Sequence, residues 1–262
     1  DFSIIAFEII TQNVNKNLVD KMKEAGVLNI QIGYESSCDS LLKKIEKKNS
    51  FSSNLNVIKH CHANGITVSG INVIRNLLEE TTDDIYESIE NLRFYRFFLD
   101  KARQYMQTPN TLMINSSSKY FKQISEKKNE YTHEVRLFQQ YYEKSMTEES
   151  KWHIFEGNKP YYAKQWKIFN DIQFHYLNNN YSYTIQNEKD QLTYIENYNG
   201  NELESFLMND VQISICKFCY DIPVCLEQLL NSISLSNQTI TEEQLRSNID
   251  FLYEKGIVYH SS

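Results

Sequence analysis

Three of the seven glycines in this 262-residue chain fall at the same kind of place, and they constrain everything between them. "EAGV" around Gly26, "ANGI" around Gly65 and "EKGI" around Gly256 each follow a helical pattern and precede an apolar pair. A chain leaving a helix there needs the left-handed backbone that glycine adopts without a steric cost, so each marks a helix-to-strand junction. Read between those marks, residues 1–99 alternate: a strand over 3–10, a helix over 16–25, a strand over 28–32, helices over 39–47 and 53–64, a strand over 66–74 and a helix over 82–99. Ser52 or Ser53 is expected to start the third helix, and Thr82 with Asp83 and Asp84 the fourth, where acids meet the positive end of the helix dipole. The alternation predicts α/β architecture: parallel strands, right-handed crossovers and β-branched strands covered on both faces. Three strands cannot close a barrel, so the expectation is an open, partial (β/α) barrel.

Beyond residue 99 the pattern loosens. Residues 100–200 hold aromatic clusters at "RLFQQYYEK", "KWHIFEG" and "YYAKQWKIFNDIQFHYL", which read as long amphipathic helices, while "YSYTIQN" and "QLTYIEN" read as a short hairpin. Trp152, Trp166, Tyr161 and Tyr162 are expected to be core residues. Residues 201–262 read as helices over 203–219, 224–233 and 242–254 around a turn at Asp221–Pro223, then a short strand after Gly256, an order that suits a small winged-helix-like module. The domain expectation is therefore 1–99, 100–200 and 201–262.

Composition excludes some functions. The chain is 41% apolar and 23% charged, with a net charge of −7, and residues 201–262 carry only Lys217, Arg246 and Lys255 against nine acids. Phosphate is repelled, so no nucleic-acid partner is expected even of a winged helix. No run approaches the length of a membrane span, and five cysteines do not form a disulfide framework; a cytoplasmic protein is expected.

In a parallel sheet, ligands sit beyond the C-terminal strand ends. "NIQIGYESSCDS" places Gly33, Glu35 and Ser36 there, and a carboxylate beside a hydroxyl can receive ligand hydroxyls or an ammonium group; capping of the helix near Asp39 is the structural alternative. The next strand ends at Asn72–Ile74, with a turn from Arg75 through Asn76 to Glu80; Asn72 and Asn76 could equally be turn residues. No metal site is expected: Cys216, Cys219 and Cys225 offer three thiols where zinc wants four ligands, and His60, Cys61 and His62 point around a helix.

Together the two strand ends carry a resemblance. "AGVLNIQIGYESSCDSLLKKIEKKNSFSSNLNVIKHCHANGITVSGINVIRNLLEETTDDIYESIENL" resembles the C-terminal half of the barrel of radical S-adenosylmethionine enzymes, best over residues 5–98, and in overall order the cobalamin-dependent members that modify ribosomally made peptides. The resemblance implies that Gly33, Glu35 and Ser36 lie on the ribose or amino-acid side of S-adenosylmethionine and Asn72, Ile74 and Asn76 on the adenine side. It also implies a 5'-deoxyadenosyl radical that abstracts hydrogen from a substrate carbon, with methyl transfer from cobalamin. Two departures stand out. The family's Gly-x-Pro-Gly-Glu turn reads Asn76–Leu77–Leu78–Glu79–Glu80, and its C-x-x-x-C-x-x-C motif for a four-iron four-sulfur cluster has no counterpart. The expectation is a chain inactive alone, with cluster and cobalamin supplied by a missing N-terminal half or a partner chain. The competing reading is a non-catalytic, degenerate half-barrel that binds a peptide or partner protein.

Overall fold

The computed structural model describes residues 8–75, 80–98, 104–107, 113–114, 122–126, 153–156, 162–188, 191–235 and 240–261. The N-terminal part is a parallel sheet of four strands in the order β1 (Glu8–Ile9), β2 (Asn29–Glu35), β3 (Thr67–Ile74) and β4 (Gln104–Gln107). Registers such as Ile32↔Ile71 and Asn72↔Tyr105 bring the C-terminal ends of β2, β3 and β4 side by side. Four helices intervene: α1 (Lys16–Glu24), α2 (Asp39–Lys44), α3 (Phe51–Ala63) and α4 (Thr82–Asn91), the last running into a 3-10 turn at Leu92–Tyr95.

Local chemistry accounts for the helix boundaries. The Asn15 side chain accepts from the Leu18 amide at the start of α1. Ser50 and Ser53 form a reciprocal capping box at α3, and Thr81 and Asp84 another at α4, so each cap lies one to three residues before the expected one. Gly26 and Gly65 take φ of 86° and 66°, and behind them the Val27 and Ile66 amides return to Met22 and Cys61, closing each helix. Helix ends sit earlier than read: α2 stops at Lys44 and α4 at Asn91.

Two further expectations are corrected here. Gly33 does not end β2; the strand runs on to Glu35, with a register irregularity between Ile32 and Glu35. Nor is β2 covered on both faces, for Ile30, Ile32 and Tyr34 are buried while Gln31 is exposed and Gly33 and Glu35 are only half-buried. The buried face meets Val19, Met22, Val57, Ile58, Ile85, Trp166 and Phe169 in one core. Tyr95 Oη donates to Tyr34 Oη at 2.6 Å inside it, so the polar ends of two large rings satisfy each other.

The second half differs more. "KWHIFEG" is not helical: His153–Glu156 is β7, which pairs antiparallel with β5 (Met113–Ile114) and β6 (Lys122–Glu126). "RLFQQYYEK", Trp152 and Tyr161 lie outside the described residues. One long helix, α5 (Ala163–Asn178), buries Trp166 and Phe169. The hairpin β8 (Tyr181–Glu188) and β9 (Gln191–Tyr198) gains a third antiparallel strand, β10 (Asn201–Met208), where a helix was expected. Helices α6 (Asp210–Phe218), α7 (Leu226–Leu235) and α8 (Glu242–Glu254) follow, and residues 257–261 are irregular rather than a strand. Tyr194, Met208, Ile215, Leu229, Ile233, Leu245 and Leu252 form the core of this part. It is tied to the segment that follows α4 by a buried fork: Arg96 Nε and Nη2 donate to Glu196 at 2.8 and 2.7 Å, and Nη1 donates to the Gly256 carbonyl at 3.0 Å. Among the described residues, no helix is long and apolar enough to cross a membrane.

Candidate functional site

At the end of β2 the backbone is strained. Glu35 has φ of 64°, a left-handed conformation uncommon for a residue with a side chain. Asparagines hold it there. Asn49 Nδ2 donates to the Gly33 carbonyl at 2.9 Å and to Asn54 Oδ1 at 2.9 Å, and Asn54 Nδ2 donates to the Tyr34 carbonyl at 3.2 Å. Thr11, just beyond β1, completes the buried set by donating to Asn54 Oδ1 at 2.6 Å. These bonds take up carbonyls that the irregular strand end would leave unpaired in the interior.

The Glu35 carboxylate faces Lys47, whose Nζ stands 2.9 Å from Oε1, with side chains 18% and 41% exposed respectively. Glu35 is therefore not bonded to helix amides as a cap would be. The α2 cap is Cys38, which accepts from the Leu41 amide, and the Asp39 amide donates to Glu87. Ser36 is wholly buried, and its Oγ accepts from the Cys38 amide at 3.0 Å, so its hydroxyl is engaged in shaping the turn. Asn72 is half-buried at the neighbouring strand end, and Ile74 packs against Cys38 and Leu41. Asn76 lies outside the described residues. Glu80, the acid that closes the turn, is buried and accepts from Trp166 Nε1 at 2.8 Å.

The two strand-end loops share an anchor, Asp84. Its carboxylate accepts from Lys44 Nζ at 2.7 Å, from the Thr81 amide at 2.7 Å, from Thr81 Oγ1 at 2.8 Å and from Ser40 Oγ. Burial pushes its pKa up, but the hydrogen bonds from Lys44, Ser40 and Thr81 outweigh that and hold it down at about 2. Lys44, Lys47 and Asn49 were not singled out from sequence, and Asp84 was expected only as an acid at the start of the fourth helix. The Thr81–Asp84 spacing was the available signal for its capping role; the reversal after α2 brings Lys47 and Asn49 back to β2.

The thiols do not suit a metal cluster. Burial pushes Cys38, Cys61 and Cys216 each up to about 12, so without a metal they are neutral thiols. Among the described residues, no three His, Cys, Asp or Glu side chains gather as a metal site. The arrangement places a paired carboxylate and ammonium beside a polar strand end.

No curated protein and no solved structure is matched by the chain. Residues 2–92, about a third of the length, match the family model described as the Radical SAM superfamily, and this segment contains β1 to α4 and every described residue of the strand-end site.

Proposed function

We propose that the C-terminal ends of β2 and β3 hold S-adenosylmethionine as part of a radical S-adenosylmethionine enzyme. The observation that carries this reading is Glu35, a residue of left-handed backbone at a parallel strand end whose preceding carbonyls are held by buried asparagines and whose carboxylate, 18% exposed, is paired with Lys47. Strain persists where surrounding structure over-determines it, and it concentrates at ligand sites. Glu35 receives the ribose hydroxyls or the ammonium group, and Lys47 faces the carboxylate of the same amino-acid end. Gly33 keeps the approach to Glu35 free of a side chain, with nothing closer to an added Cβ than Glu8 Oε1 at 3.9 Å. Asn72, and Asn76 by resemblance, lie on the adenine side.

Bound S-adenosylmethionine would supply a 5'-deoxyadenosyl radical for hydrogen abstraction. The described thiols do not fit the cluster this requires, so a partner chain or another segment provides it. Cobalamin dependence, C-methylation and a ribosomally made peptide as substrate belong to the same proposal and rest on the resemblance.

Calorimetric titration tests the site, on the chain alone and with a cluster-bearing partner. Glu35→Ala is expected to weaken S-adenosylmethionine binding by about 1–3 kcal/mol, the cost of leaving polar ligand groups unpaired. Unchanged affinity with a lowered melting temperature would assign Glu35 a purely structural role. A second reading, the non-catalytic half-barrel that binds a peptide or partner protein, draws on Ser36 and Ile74 being engaged internally and on the loss of both glycines in the 76–80 turn. It predicts no S-adenosylmethionine binding under either condition.

A further inference from the structure

The side of α3 remote from the strand ends carries Asn56, Lys59 and His60, and all three reach across to the segment that links α6 to α7. Asn56 Nδ2 donates to the Asp221 carbonyl at 3.4 Å, and Lys59 Nζ donates to the Tyr220 carbonyl. His60 Nε2 stands 3.2 Å from the Asp221 carbonyl, and its ring meets Tyr220 edge-on at 5.5 Å. A carbonyl only accepts, so Nε2 carries the hydrogen and neutral His60 is bare at Nδ1. That Nδ1 is buried with no partner, in a side chain 1% exposed.

We propose that Asn56, Lys59 and His60 form a latch that docks the 219–221 segment, and with it the C-terminal module, on α3, and that acid opens this latch by protonating His60 at Nδ1. Protonation there would place an N–H and a positive charge at a buried atom with no protein acceptor in reach, beside an existing cation.

Charged and titratable groups face His60 from each neighbouring element. Burial is the main influence lowering its pKa below the ordinary 6.5, and Lys59 on the same helix adds to it; the Asp221 carbonyl and carboxylate oppose both, and Lys16 of α1 lowers it further. Asp20 of α1 also feels the His60 charge, and Cys219 and Asp221 act on Lys59. Because the docked state holds the proton less tightly than the free imidazole does, docking is complete above about pH 6.5 and weakens as pH falls below it.

Hydrogen exchange of residues 210–226 in the full chain, corrected for intrinsic rates, tests this at about pH 7.5 and about pH 5.5. Exchange is expected to become several-fold faster in acid. His60→Gln keeps a donor for the Asp221 carbonyl but cannot titrate, so its protection should stay flat, while the control His260→Gln should respond as the parent does. A flat parent profile, or an acid response that persists in His60→Gln, overturns the proposal. Should His60→Gln fail to fold, the His60 ring titration by NMR in the parent decides. A midpoint at or above the ordinary value, or one that does not track the exchange, overturns it; a lowered midpoint that tracks the exchange supports it.

Discussion

Replacing Asp84 by Asn removes one negative charge from the point where both strand-end loops are anchored, with little change of shape. The Asp84 side chain is 4% exposed and accepts from Lys44, Ser40 and Thr81. An amide keeps one acceptor for the Thr81 amide but turns an NH2 toward Ser40 or Lys44. Holding the carboxyl at about 2 instead of 3.8 contributes about 2 kcal/mol to folding at neutral pH. The sign follows from the depressed value: the contribution is complete above about pH 4 and disappears as pH falls through about 2, where the carboxyl protonates in the folded state as well. Urea unfolding of parent and variant at several pH values measures this, provided both keep the same slope with denaturant. The variant should be less stable by about 2–3 kcal/mol at pH 7, and the gap should narrow to under about 1 kcal/mol near pH 2. A gap below about 0.5 kcal/mol at pH 7, or one that is constant down to pH 2, would refute the assignment of charge as the source.

Other substitutions probe the rest of the frame. Glu35→Gly should be more stable than Glu35→Ala by about 1 kcal/mol in thermal melts, because glycine accepts the left-handed backbone without strain, while both lose ligand affinity equally. Arg96→Met leaves the Glu196 carboxylate buried without its guanidinium and should cost about 3–5 kcal/mol in urea unfolding; adding Glu196→Leu should recover much of that loss. Gly256→Ala should lower the melting temperature by several degrees, about 2 kcal/mol or more, since its φ is 64° and an added Cβ would stand 2.5 Å from Arg96 Nη1; Arg96→Met in the same chain should relieve the steric part.

Sequence reasoning succeeded where a local signal and the tertiary outcome coincide. The glycines at 26 and 65 do close helices, the alternation does give parallel strands among the described residues of 8–98, with 3–7 of the first expected strand outside them, and Glu35 does stand at a strand end. It failed over 203–208 because Leu203, Phe206 and Leu207 also fit a helical period, whereas the outcome was decided by pairing with β9, as in Phe206↔Tyr194. A local signal against the helix was present. Asn199–Gly200 carries the residue pair of a two-residue hairpin turn, and the structure gives both left-handed φ, 50° and 82°, so β9 had to be followed by a returning strand. "KWHIFEG" misled for a different reason: four residues of strand are too few for either periodicity to register.

The site was legible only as a position. That Glu35 stands near a strand end can be read from "QIGYESS", but that the strand runs on to it and ends there with a left-handed backbone depends on Asn49 and Asn54, which return from the far side of α2 to bond the Gly33 and Tyr34 carbonyls. The same reversal delivers Lys47 to the carboxylate. Strand ends announce themselves through turn residues and apolar runs, which act over a few positions of chain. The groups that give a strand-end carboxylate its direction and its counter-charge arrive through tertiary contacts 12 to 20 residues away in this chain. Their identities, Lys and Asn, are ordinary surface choices until the fold buries or pairs them. Thus the strand-end carboxylate was visible from sequence, whereas the residues that aim it became visible only once the helices were in place.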